Sequence, residues 1–204
     1  MSLPSEFIYL QDVDSSINQD MRYFSENNFM GARITGYEAA VCITLRKIAA
    51  ALSDIQKQLA KQSLGLKVFD CYRPQMAVDE FVVWSQNSAD QKMKHLYYPN
   101  VNKADFFKLG YISNQSAHTR GSAVDLTIIE LETQQELNMG TRFDFMDEMS
   151  HSLTERVQGE ARKNRLLLRK LMMKAGFEPL ETEWWHFRYI NEPFPETYFN
   201  FPVK

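Results

Sequence analysis

The stretch Asn114–Leu126, NQSAHTRGSAVDL, constrains this chain more than any other, because it sets a carboxylate inside a run that otherwise reads as a buried strand. Ala123, Val124 and Leu126 are small or apolar, and Asp125 stands among them. Taking an unpaired charge out of water costs roughly several kcal/mol even after the surroundings relax. A fold containing this strand must therefore bring Asp125 a partner. His118 is the nearest candidate: it lies seven residues earlier, across Gly121, where a tight turn can fold the loop back beside the strand.

The rest of the chain limits what else can be built around that pair. Its 204 residues predict one domain, spanning 1–204, with a core large enough not to rely on metals or disulfides as its main support. The net charge of −3, with acids and bases interspersed, leaves no basic stripe for displacing counterions, so no nucleic-acid partner is expected. The two cysteines, Cys42 in AVCITL and Cys71 in VFDCYRP, lie in apolar runs and are expected as reduced, buried side chains rather than a disulfide. The opening MSLPSEFIYLQDVDSS lacks the basic segment and apolar core of a secretory leader. No apolar run reaches the roughly 20 residues of a membrane span. A cytoplasmic protein with no membrane partner is expected; association into a homo-oligomer stays open.

Periodicity places the elements. From Gly36 to Gln62, apolar residues at Val41, Leu45, Ile48, Ala49, Leu52, Ile55 and Leu59 are spaced mostly by three and four, which predicts one long amphipathic helix. SLGLKVFDCYRP breaks it at Gly65 and reads as a short strand ending at Pro74, a residue suited to starting the next helix, PQMAVDEFVVWSQ. Asn87 to Ser113 reads as irregular, Ala123 to Leu131 as a strand, and NMGTRFDFMDEMS as a loop. A helix over Gly159–Lys174 should stop at Gly176, and FEPLETEWWHFRYI should supply one or two strands. The mixed order predicts an α+β fold with helices packed against a central antiparallel sheet.

Two of the four histidines, His95, His118, His151 and His186, stand in contexts that suggest chemistry. His118 has Asp125 within reach, and His186 lies in the apolar, aromatic ETEWWHFRY, where an imidazole without a partner is unfavourable to bury. Two imidazoles and a carboxylate make a three-ligand zinc site with an open fourth position, the pattern of catalytic rather than structural zinc. Glu183, three residues before His186, is placed to act as general base, although an odd spacing in an ideal strand puts the two on opposite faces. Sharing a site requires Glu183 to sit at the strand's entry or on a bulge. Arg73, in FDCYRPQ, either stabilises an oxyanion or forms an ion pair with Asp70 or Asp79.

These residues together resemble a known family. SAHTRGSAVD fits the pattern Ser-x-His-x-x-Gly-x-Ala-x-Asp, and with EWWH and YRP it closely resembles the zinc D-alanyl-D-alanine dipeptidases. The resemblance runs from FIYL through NNFMGARITGYEAA, MGTRFDFMDE and NRLLLRKLMMKAGFEPLETEWWH to FNFPVK. It implies one zinc per chain held by His118, Asp125 and His186, with Glu183 as catalytic base and Arg73 on the oxyanion. It also implies a small D,D-dipeptide substrate, for which Asp144 is the candidate acceptor of the ammonium and Ser116 and Tyr37 are candidates for polar contacts. Of Trp184 and Trp185, alternating in a strand, one is expected to line the pocket and the other to pack the core. The rival readings are a zinc D,D-carboxypeptidase or endopeptidase acting on peptidoglycan stem peptides, a zinc-binding module without turnover, and an α+β interaction domain in which Asp125 would lack a partner.

Overall fold

The computed structural model describes residues 3–204; Met1 and Ser2, the first residues of the leader reading, lie outside them. In chain order the elements are β1 (Phe7–Tyr9), α1 (Leu10–Val13), β2 (Asn18–Gln19), β3 (Ile43–Leu45), α2 (Arg46–Ala60), β4 (Leu64–Asp70), α3 (Gln75–Gln86), α4 (Lys94–Tyr97), α5 (Phe106–Leu109), β5 (Ala123–Glu130), α6 (Gly159–Lys174), β6 (Phe177–Pro179) and β7 (His186–Tyr189). This is the expected α+β architecture. The central sheet has the order β2-β4-β5-β7-β6 and is antiparallel except at its edge, where the two-residue β2 runs parallel to β4.

Where the sequence carries clear punctuation, the elements follow it. Pro74, which lacks an amide proton and has φ fixed at −65°, caps α3. Gly176, at φ +91°, follows the last turn of α6 and takes the left-handed conformation that ends it. Helix α2 buries Ile48, Ala49, Leu52, Ile55 and Leu59 along one face. Ala51 and Ile55 of this helix, with Leu171 of α6 and Ala175 just after it, line an open hollow. Among the described residues no helix is long and apolar enough to cross a membrane.

Two expectations are corrected. The long helix does not begin at Gly36: α2 starts at Arg46, and Ile43–Leu45 is extended and pairs antiparallel with Phe7–Tyr9. Val41, Ile43 and Thr44 are β-branched and favour extended backbone once a partner strand is present. Cys42 and Cys71 are not free thiols; they are bonded to each other across 29 positions of sequence. The chain beyond β4 runs beside β3, where the Tyr72 amide donates to the Ile43 carbonyl at 2.8 Å, and this brings the two Cα atoms to 5.4 Å. That separation lies within bonding range.

The sheet's register builds the site. Asp125 on β5 stands opposite Asp70 on β4 and, on its other side, opposite His186 on β7. The pairing of β4 with β5 slips between Val68 and Asp70, so Asp70 rather than Phe69 faces Asp125. Along β5 the carboxylate points to the face away from Val124 and Leu126, so one strand serves both core and site. Gly121, at φ +72°, turns the preceding loop back onto the sheet; a Cβ there would come within 2.6 Å of the Phe7 ring.

Candidate active site

The turn at Gly121 places His118 over the row formed by Asp70, Asp125 and His186. His118 Nε2 lies 3.2 Å from Asp125 Oδ2 and 3.1 Å from His186 Nδ1, and His186 Nδ1 lies 3.0 Å from Asp125 Oδ1. Ligand atoms of the three residues all fall within 4.8 Å of one another. The other ring nitrogen of His118, Nδ1, donates to the Cys71 carbonyl at 2.6 Å, which turns Nε2 toward the cluster. Burial alone would raise the Asp125 pKa, but the two imidazoles outweigh it and hold the carboxyl below the usual carboxylate range. For His186, burial works against the charged form and Asp125 overcomes it, so its pKa is raised. Two nitrogens and one carboxylate oxygen converging on one point suit a divalent metal, zinc above all.

Around this cluster stand three more acids and one base. Arg73 donates from Nε to Asp70 Oδ2 at 2.9 Å, and one of its terminal nitrogens reaches to 3.5 Å from Asp125 Oδ2. Its guanidinium also lies over the Tyr23 ring, 5.0 Å from the centroid. Burial opposes its charge, but Tyr23, Asp70, Tyr37 and Asp125 keep its pKa well above normal. Asp70 is fully buried and its pKa is raised by that burial, against the pull of Arg73 and His118. Asp144 is buried too and accepts from the Tyr23 hydroxyl at 2.9 Å; desolvation first, then the charges of Asp125 and Glu183, push its carboxyl well up. Glu183 Oε2 lies 3.9 Å from His186 Nδ1, and burial pushes its carboxyl up to about 7 despite His186.

Glu183 meets the condition set by strand parity. It falls in the turn before β7, so the alternation of faces does not apply to it, and it shares the cavity with His186. The same turn holds Trp184 and Trp185, which are both buried. Trp185 lines the cavity, while Trp184 packs behind it and donates from Nε1 to Thr141 Oγ1 at 2.8 Å.

The cavity measures about 190 Å³ and is lined by Arg73, Ser116, His118, Asp125, Asp144, Glu183 and His186 among others. That is below the roughly 300–1,000 Å³ of clefts for drug-sized ligands, and it suits a molecule no larger than a dipeptide of small residues. Ser116 lines it, with Oγ also accepting the His118 amide at 3.2 Å. Tyr37 is placed differently from the substrate contact expected of it: it is buried behind the cavity and donates to Asp70 Oδ1 at 2.7 Å. The tyrosines that line the cavity are Tyr23 and Tyr111, which no local pattern marks. Asp70 was legible only as a partner for Arg73, although VFDC sets an acid in an apolar strand just as AVDL does. His95 is exposed, and neither it nor His151 lines the cavity.

Comparison with known proteins places the chain among relatives. The peptidase M15 family model described as D-ala-D-ala dipeptidase matches residues 4–204. A D-alanyl-D-alanine dipeptidase of Enterococcus faecalis is 40% identical over 198 residues, covering 97% of this chain and 98% of that protein. One of Streptomyces coelicolor is 37% identical over 201 residues, covering 98% and 100%. Among solved structures, that of VanYB in complex with D-alanine-D-alanine aligns with a TM-score of 0.44 and 16% identity over 76% of each chain.

Proposed function

The chain belongs to the D-Ala-D-Ala dipeptidase family of M15 peptidases, and from that premise we propose that it acts as one unit to hydrolyse free D-alanyl-D-alanine to two D-alanines. The observation that carries this reading is the meeting, in one small cavity, of a metal-ligand triad with an acid whose pKa lies near neutrality, one guanidinium and a second buried carboxyl.

His118 through Nε2, His186 through Nδ1 and Asp125 would hold one zinc ion. When bound, zinc supplies Lewis acidity, which polarises an amide carbonyl and makes water a competent nucleophile near neutral pH. Glu183 takes a proton from the attacking water and passes it to the departing amine as the C–N bond breaks. A carboxyl raised to about 7 is matched to both halves of that transfer. Arg73 faces the negative charge that develops on the carbonyl oxygen; Asp70, itself held by Tyr37, fixes the guanidinium in place. Asp144, with Tyr23 beside it, takes the substrate ammonium, and Ser116 offers a hydroxyl to the dipeptide. A buried carboxyl with raised pKa is relieved by an incoming cation, and this favours a free amino terminus over the N-acylated end of a stem peptide. The cytoplasmic location expected from the sequence competes with the Cys42–Cys71 bond, since such bonds persist mainly in oxidising compartments.

The test is D-alanine release by zinc-loaded protein from D-Ala-D-Ala and from its N-acetyl derivative, with Glu183→Ala alongside. Cleavage of the free dipeptide, lowered about 10²–10⁴-fold in kcat by the substitution, is expected. Cleavage of the acylated substrate alone would replace this reading with a carboxypeptidase.

A further inference from the structure

The Cys42–Cys71 bond takes no part in the steps above, yet Cys71 directly follows Asp70, which faces Asp125, and its carbonyl meets His118. The ladder between β4 and β5 ends at Asp70 opposite Asp125. Cys71 comes next, fully buried, and no sheet partner on that side holds it. Its carbonyl is nonetheless the acceptor that orients His118: with Nδ1 donating there at 2.6 Å, Nε2 is the ring nitrogen turned to Asp125 and His186 and left for a metal. Two ties hold this carbonyl in place from the other side. One is the hydrogen bond from the Tyr72 amide to the Ile43 carbonyl at 2.8 Å; the other is the covalent bond to Cys42. Cys42 is itself anchored, since its amide donates to Gln19 Oε1 at 2.7 Å and its carbonyl accepts the Leu10 amide at 2.9 Å.

We propose that the Cys42–Cys71 bond is a positioning element of the metal site: it holds the Cys71 carbonyl against His118 Nδ1, so that Nε2 is oriented for zinc, and opening the bond loosens the metal. The inference rests on the zinc reading of His118, Asp125 and His186. It makes metal affinity depend on redox state. A dithiol reductant delivers two electrons and two protons, breaks the Sγ–Sγ bond to leave two thiols, and is itself oxidised to a disulfide. The enzyme then reaches full metal affinity only in a compartment where disulfides persist.

The experiment measures the zinc dissociation constant by competition with a chromophoric chelator. It compares the protein purified without reductant, the same protein reduced by a dithiol and desalted under nitrogen, the reduced protein after reoxidation, and the C42A/C71A double variant. Free thiols are counted in each, and the His118 tautomer is read in metal-free protein from imidazole nitrogen shifts. The expected result is zinc binding weaker by about 10–100-fold in the reduced and double-variant proteins, the usual effect of losing a ligand's hydrogen-bond partner, with recovery on reoxidation and a smaller Nδ1–H population while the bond is open. The reduction cycle needs no substitution, so a double variant that fails to fold does not decide the matter. Equal zinc affinity in bonded and reduced protein, with only the thermal midpoint lowered, would overturn the proposal; so would two free thiols in protein purified without reductant. If the bonded protein binds no zinc at all, the metal reading itself falls and this inference goes with it.

Discussion

The two ends of β7 treat charge in opposite ways. Around Arg188, two guanidinium groups meet two carboxylates: Arg188 reaches Glu192 at 2.6 Å and Glu178 at 2.5 Å, and Arg120 reaches Glu192 at 2.7 Å. The charges match within the network. Around His186, two residues earlier, Asp70, Asp125, Asp144 and Glu183 share a single guanidinium, Arg73, and three of these carboxyls are pushed up in pKa. A balanced cluster is complete as folded, and its worth is stability. An unbalanced, buried one is completed by cations that arrive from outside, and those of the proposed reaction are zinc and an ammonium.

The sharpest break in that contrast comes from Arg73, the one arginine or lysine among the described residues that line the cavity. Arg73→Lys keeps the charge but loses the fork that spans Asp70 and Asp125, and kcat is expected to fall about 10²–10³-fold, as when a preorganised oxyanion donor is removed. Steady-state kinetics on D-Ala-D-Ala check this, and an unchanged kcat with a raised KM would move Arg73 from the transition state to ground-state binding.

A smaller effect is expected at Asp144. Asp144→Asn removes the charge that meets the ammonium but keeps an acceptor for Tyr23, so KM for the free dipeptide should rise roughly 10–100-fold, the worth of a hydrogen bond to a charged group at about 1.5–3 kcal/mol. If KM rises equally for a substrate with no ammonium, Asp144 does not read that group.

The smallest effect belongs to the balanced end. Burial alone would raise the Glu192 pKa, but Arg120 and Arg188 more than offset it, so the folded value lies below the usual one. Such a group stabilises the fold at pH values above its unfolded pKa of about 4.3, and this contribution is lost as pH falls through the folded value. Glu192→Gln should therefore lower stability by about 1 kcal/mol at pH 7, after allowing for solvent screening at the half-exposed Arg188, and the gap should close in acid. Urea unfolding of both proteins at pH 7 and pH 3 decides it; a gap that persists at pH 3 would mean that packing, not charge, is what Glu192 supplies.

Much of this was legible in the chain. Asp125 in its apolar strand, the turn glycine and the two histidines announce one another, because a buried acid without a partner is too unfavourable to be incidental. The helices α3 and α6 were equally plain, since Pro74 and Gly176 bracket elements whose signals are local. The helix read from Gly36 was overextended because the spacing of Val41 and Leu45 fits a helical face as well as a strand, and only the arrival of β1 decides between them.

What the sequence by itself determined is therefore the kind of chemistry: which side chains are candidate metal ligands, which acid and which arginine stand near them, and which segments coil. The tertiary structure alone decided how they meet. A one-residue slip between β4 and β5 chose Asp70 over Phe69 as the neighbour of Asp125. A turn in place of a strand put Glu183 beside His186, and the chain's return past β3 joined Cys42 to Cys71. Tyr23 reached Asp144 across 121 positions. The physical reason is common to all four. Helix punctuation and a misplaced charge act over a few residues, whereas register, face and long-range proximity are set by how whole strands and loops pack, and single residue types leave no local mark of that choice.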